Sequence, residues 1–250
     1  MAKPSEKIPR KLEIEPIIEA VWELRFEGDQ AAGAALPGIL FENLKSPQYN
    51  PTIETFALAS VPREVRDNNE QLRYAPTAVL RYGNYSIFIG DRSIAVGVVC
   101  PYPGWDFYEG EIGRVVKVAK ESGLVKDPER VTIRYIDYFD ASPGGGMALL
   151  NLKLSVGNLE SGFDELGVEV KTTEEDFECV IRIRNPATVV IGKQTKRGLV
   201  TDVQVGWRTA ENSEFWQYFP EKLRHAKKLC HERFFGLLAP ETLARHKPVY

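Results

Sequence analysis

Residues 17–27 read IIEAVWELRFE, and Ile18, Ala20, Trp22, Leu24 and Phe26 alternate there with Glu19, Glu23, Arg25 and Glu27. Side chains on a strand point to opposite faces in turn, so this stretch is a strand with one buried and one wet face. A second stretch of the same kind, VTIRYIDYF at 131–139, places Ile133-Arg134-Tyr135 at 109 positions from Leu24-Arg25-Phe26. Val96 and Val205, each in the last apolar run before a long helical pattern, also stand 109 apart. One register at both ends points to an internal repeat.

The segments between these landmarks follow one order twice. Ile39, Leu40 and Leu44 have helical spacing, which predicts a short helix from Leu36 to Lys45 ended by Pro47. Short apolar segments follow at 53–60, 71–82, 85–89 and 93–100, the last two joined as a hairpin by Gly90-Asp91-Arg92. Pro103-Gly104 opens a helix whose Trp105, Tyr108, Ile112, Val115, Val116 and Ala119 form one stripe, and Ser122-Gly123 closes it. The second half offers strand 131–139, a Gly-rich turn at 143–146, a short segment at 147–154, and strands at 166–172, 177–184, 187–192 and 199–208. A long helix then runs from about Ser213 to Phe235, with Phe215, Phe219, Leu223, Ala226, Cys230 and Phe234 on one face.

The expected fold is therefore α+β, an antiparallel sheet of eight to ten strands with helices on one face, built from two pseudo-repeats of β-α-β4-α. Residues 1–15 form an N-terminal tail, 16–126 the first pseudo-repeat and 127–250 the second with the C-terminal helix, together one compact unit. Trp22 and Trp207 are expected beneath the long helices.

Composition removes several function classes. The 250 residues carry 32 Lys plus Arg against 35 Asp plus Glu, a net charge of −3, so no global positive field draws the chain to nucleic acid. The 3 Cys and 3 His are dispersed, which argues against a disulfide framework and closely spaced zinc ligands. The longest apolar run, 94–100, is far short of the ~20 residues of a membrane-spanning helix. No apolar stretch follows the basic residues Lys3, Lys7 and Arg10 as a signal peptide requires, and cytoplasmic residence without a membrane partner is expected.

Motifs with chemical potential have bland readings beside them. Gly192-Lys193-Gln194-Thr195 lacks the first glycine of a phosphate loop and reads as a turn between strands. Gly144-Gly145-Gly146 stands where an anion-binding turn would, but without a full glycine frame it reads as a flexible connection. Glu221 and His225 are spaced as two metal ligands on one helix face, yet Lys222, Arg224, Lys227 and Lys228 crowd them, the pattern of a solvated surface. Cys100, Cys179 and Cys230 fall on apolar faces and read as core thiols. Cys230 and His231 are helix neighbours about 100° apart, an awkward geometry for a nucleophile and its base.

Neither a Gly-x-Ser-x-Gly elbow nor His-Glu-x-x-His occurs. Asp137, Asp140, Asp202 and Glu19 would meet where the first strands of the halves are neighbours, with Arg25 and Arg134 neutralising them as cross-strand ion pairs. Two aromatic clusters, Tyr102, Trp105, Phe107 and Tyr108, then Phe215, Trp216, Tyr218 and Phe219, cover more than one helix stripe, so some rings face a partner or the other half.

The doubled β-α-β4-α order resembles the duplicated fold of the TATA-binding protein. A DNA saddle needs a basic rim and apolar wedges, whereas the wet sheet positions here, such as Glu23, Arg25, Glu169, Lys171, Arg182 and Asp202, balance acids and bases. Three landmarks, Pro16-Ile17-Ile18-Glu19-Ala20 with Leu24-Arg25-Phe26, Tyr102-Pro103-Gly104-Trp105 with Ile133-Arg134-Tyr135-Ile136-Asp137, and His231-Glu232-Arg233-Phe234-Phe235, span most of the chain. Together they resemble a sporadically distributed bacterial family of conserved hypothetical proteins of about this length, with no assigned activity. That resemblance implies accessory genes, such as defence or toxin–antitoxin loci, and no catalytic residues.

The expected function is that of a non-enzymatic binding or regulatory protein acting through protein–protein contacts, with a protein partner or as a homodimer. No cofactor, metal or nucleic acid is expected, and the binding residues are Arg25, Arg134, Asp137 and Asp202. The alternative is an enzyme acting on a small or nucleotide-like ligand in a helix–sheet cleft, which needs those four side chains to converge on one enclosed volume.

Overall fold

The alternating runs hydrogen-bond side by side, and their apolar faces meet the helices in one core. The computed structural model describes residues 7–29, 32–46, 49–141, 145–155, 157–158, 165–209 and 214–250. In chain order the elements are β1 (Lys11–Leu12), β2 (Ile17–Gly28), α1 (Ala32–Leu44), β3 (Thr52–Thr55), α2 (Arg63–Asp67), β4 (Ala78–Tyr82), β5 (Tyr85–Ile89), β6 (Ser93–Val99) and α3 (Trp105–Glu121). There follow β7 (Val125–Phe139), β8 (Leu166–Glu174), β9 (Phe177–Ile191), β10 (Gln194–Arg208), α4 (Phe215–Leu237), α5 (Pro240–Arg245) and β11 (Pro248–Val249).

Nine strands form one antiparallel sheet in the order β3-β4-β5-β6-β2-β7-β10-β9-β8, and β1 pairs separately with β11. The central seam is β2 on β7, with Trp22 opposite Ile133 and Val21 opposite Arg134. Ala20, Trp22, Leu24 and Phe26 of β2 are buried with Leu36 and Leu40 of α1, Tyr108 and Ile112 of α3, and Phe219 and Leu223 of α4. The helices α1, α3 and α4 thus share one apolar core with one face of the sheet. Trp22 and Trp207 are 0% and 2% exposed, as the alternation predicts, and both rings pack on Phe219 of α4 at 5.8 and 6.4 Å between centroids. Among the described residues no helix is long and apolar enough to cross a membrane.

Several elements differ from the expectation. The segment 53–60 is strand only over Thr52–Thr55, and Ala57–Ser60 is a 3-10 turn. Residues 71–74 are turn, so only Ala78–Tyr82 of the 71–82 segment is strand. The unforeseen α2 packs by charge: Arg66 is buried against Asp91 of the β5–β6 turn at 2.6 Å. The two strands expected at 177–184 and 187–192 are the single strand β9, which runs through Pro186. Proline has no N–H to donate, and β8 ends its pairing at Asn185, so Pro186 stands where β9 needs no donor toward that side. Among the described residues the second half therefore has three strands after β7 where four were expected, and a 3-10 turn at Gly146–Leu149 in place of its short helix.

The 109-residue register also fails to run through the whole sheet. Val96 lies opposite Trp22, but the residue 109 positions beyond Trp22 is Val131, and its partner on β10 is Trp207, two places beyond Val205. Lys11 and Leu12, expected within a tail, form β1 and pair with β11 near the C-terminus. Cys100, expected in the core, is exposed, while Cys179 and Cys230 are buried. Gly144 and Ser213 lie outside the described residues. Gly192, at φ +61°, makes the tight turn between β9 and β10, as expected of a glycine at that conformation.

Candidate functional site

Three of the four expected residues sit on the outward face of the sheet and one on the inward face. Arg134 on β7 donates from Nε and Nη2 to Asp202 Oδ1 and Oδ2 of β10 at 2.8 and 2.7 Å, a two-pronged pair, and Arg182 reaches the same carboxylate at 3.4 Å. Arg25 lies opposite Arg130 instead of Arg134; it donates to Glu23 at 2.9 Å and stacks over Tyr74 at 4.6 Å. Asp137 belongs to the other face. It is in phase with the buried Val131, Ile133 and Tyr135, and is 1% exposed. The structure thus brings Arg134 and Asp202 together and leaves Arg25 and Asp137 apart from them, so the four do not share one enclosed volume.

Asp137 instead lies at the floor of a cavity of about 480 Å³ between the sheet, the start of α3 and the second half of α4. The alternation of β7 delivers it there, with Ile17 of β2 and Thr201 of β10 as its cross-strand neighbours. Asp137 Oδ2 is buried without a hydrogen-bond partner among the described residues, and so is Thr201 Oγ1 beside it. A buried polar atom left unpaired costs roughly 1–3 kcal/mol, so its persistence needs an explanation.

The walls are mostly rings. Tyr102 meets Tyr135 edge-on at 6.0 Å, with the two hydroxyls 3.4 Å apart, and meets Tyr108 edge-on at 6.0 Å. Trp105 packs edge-on against Tyr108 at 6.4 Å, and Phe234 and Phe235 close the side formed by α4. The outer rim is the N-terminal segment 10–17, held in place at both ends. Arg10 N donates to Val249 O, the His231 ring nitrogen Nε2 lies 3.2 Å from Arg10 O, and Pro16 O accepts from Tyr138 N at 2.9 Å.

Burial dominates the electrostatics of the cavity. It raises the Asp137 carboxyl well above the usual carboxylate range, and the charges of Asp202 and Glu15 raise it further. Burial also raises Glu15, against the pull of Lys11, and lowers Lys227, whose ammonium lies 5.9 Å from the centre of the Trp105 ring. The Cys230 thiol is pushed up by burial and His231 is pushed down by burial and by Lys227. Burial therefore favours the neutral forms of the carboxyl, the thiol and the phenols that line the floor. These groups hydrogen-bond and fill space; a thiolate nucleophile would need the opposite shift. Among the described residues no three His, Cys, Asp or Glu side chains gather as metal ligands.

Sequence reading singled out Tyr102, Trp105, Cys230 and His231 but did not join them to Asp137. The joining signal was present: in VTIRYIDYF, Asp137 keeps the phase of the apolar residues, the mark of a buried polar group. Glu15 and Arg10 were missed because the segment carrying them has no periodicity. His225, a candidate ligand, packs on the Phe177 ring at 4.9 Å. No protein-family model and no curated protein matches the chain.

Proposed function

We propose that the protein binds a small organic ligand in the helix–sheet cleft over Asp137, and that binding, not turnover, is its role. The observation that carries this reading is a buried aspartate, its Oδ2 without a hydrogen-bond partner among the described residues, in the lining of a ring-walled cavity of about 480 Å³. Small-molecule sites are typically concave, roughly 300–1,000 Å³ and largely apolar, with few polar groups. The cleft takes precedence over protein–protein contacts through the sheet because Arg134 and Asp202 already satisfy each other. Binding takes precedence over catalysis because the one thiol in the described lining, Cys230, is pushed up by burial, away from an activated nucleophile.

The test uses Asp137→Leu, a change of nearly the same shape. With no ligand its polar cost disappears, so the variant is expected to melt higher than the parent, by the equivalent of about 1–3 kcal/mol. In a thermal-shift screen against a broad metabolite library, compounds that stabilise the parent should no longer stabilise the variant. A variant that melts lower, or that keeps every stabilising compound, would overturn the reading.

We also infer that the two halves descend from one unit. The order read outward from the seam supports it: β2, β6, β5, β4 on one side answer β7, β10, β9, β8 on the other. Each half then lays a long helix, α3 or α4, over its strands.

A further inference from the structure

Resting on the cleft as a ligand site, we propose that its occupant is nucleotide-like: a flat heteroaromatic ring with its hydrogen-bonding edge on Asp137 and an anionic group at the mouth, held by Lys227, Arg10 and the first turn of α3. The floor sets the ring. The neutral form of the Asp137 carboxyl, which burial favours, offers an O–H donor and a carbonyl acceptor in one plane, the complement of the adjacent donor and acceptor on a nucleobase edge. Tyr102 and Trp105 from one side and Phe234 from the other wall a slot in which a flat ring stacks.

The mouth sets the charge. Arg10, Lys11 and Lys227 make no ion pair among the described residues, although each lines the cavity. Gly104 begins the 17-residue α3 with no side-chain hydrogen bond capping the turn, and Gly104 and Trp105 border the same space. Uncapped first-turn amides favour an anion. Glu15 and Asp106 also line the cavity, Asp106 in the first turn of α3, and Arg10, Lys11 and Lys227 outnumber them by one. A simple amine would fit Asp137 as a carboxylate, yet it would have to sit beside Lys227 and the positive end of α3. The anion is the better match, and beside Lys227 it would oppose the downward shift that burial imposes on that ammonium.

Isothermal titration of the full chain with the four common nucleoside 5′-monophosphates, their nucleosides, inorganic phosphate and cadaverine tests this. At least one monophosphate should bind, its nucleoside about tenfold or more weaker, and phosphate alone weaker still. Asp137→Asn keeps a donor and an acceptor and should hold affinity within about threefold, whereas Asp137→Leu should lose binding. Lys227→Gln should weaken the monophosphate about tenfold and flatten its salt dependence without affecting the nucleoside. Binding by none of the monophosphates, phosphate binding as tightly as they do, or cadaverine binding that Asp137→Asn abolishes would each overturn the nucleotide reading. A library compound that stabilises the parent but not Asp137→Leu would in those cases leave the cleft standing as a ligand site; no such compound would remove both.

Discussion

Asp137 carries the argument at the scale of the residue, and its titration gives a prediction independent of any ligand. An aspartate in the unfolded chain titrates near 3.9. In the fold, burial and the charges of Asp202 and Glu15 raise that value, so between the two values the folded state holds a proton that the unfolded state has lost. Stability is then complete below about pH 4 and falls as pH rises through the folded value. Asp137→Leu removes this slope, so its advantage in melting temperature over the parent should grow from about pH 5 to about pH 8. Scanning calorimetry at both pH values measures it; an advantage that stays constant would mean that Asp137 ionises freely in the fold, and one that shrinks that the fold favours its carboxylate. Glu15 shifts in the same direction and is present in both proteins, and its coupling to Asp137 is part of the slope that the variant removes.

At the scale of the element, strand facing is decided by rings. Trp22 touches Phe219 edge-on, and Trp207 lies between Phe177 at 5.7 Å and Phe219 at 6.4 Å, so one residue of α4 clamps strands of both halves. Trp22→Ala is expected to cost about 3–5 kcal/mol in urea denaturation, the usual result of removing a large core aromatic. Trp22→Phe should cost less than half of that, because Trp22 Nε1 is buried without a partner and its loss is no penalty. Equal costs for the two would show that the N–H is satisfied in solution. These faces were legible in the sequence since period-two alternation needs no knowledge of neighbours. Strand ends were less so. Pro186 reads locally as a break, and only the pairing of β9 with β8 and β10 shows that no donor is needed there. The cleft was legible in its parts and not as a whole, because Asp137, Trp105 and Lys227 lie far apart in the chain and meet only once α3 and α4 cross the same sheet.

For the whole molecule, the question is whether two similar halves behave as one cooperative unit. The seam pairs β2 with β7 from Ile17 opposite Asp137 to Gly28 opposite Val125, and the main core cluster draws residues from both halves without interruption. Across the helix layer, Arg224 of α4 donates to Glu109 of α3 at 2.6 Å, an exposed pair that adds orientation more than energy. Separating the halves would expose Trp22, Leu24, Ile133 and Val131 together, so neither half keeps its core alone. Unfolding should therefore be a single transition, with tryptophan fluorescence, which reports Trp22 and Trp105 from one half and Trp207 and Trp216 from the other, coinciding with far-UV circular dichroism. Ile133→Ala at the seam should shift that one transition by about 2–5 kcal/mol without splitting it. Two resolved transitions, or a split in the seam variant alone, would mean that each half holds its own core and that the shared helix layer contributes little to joining them.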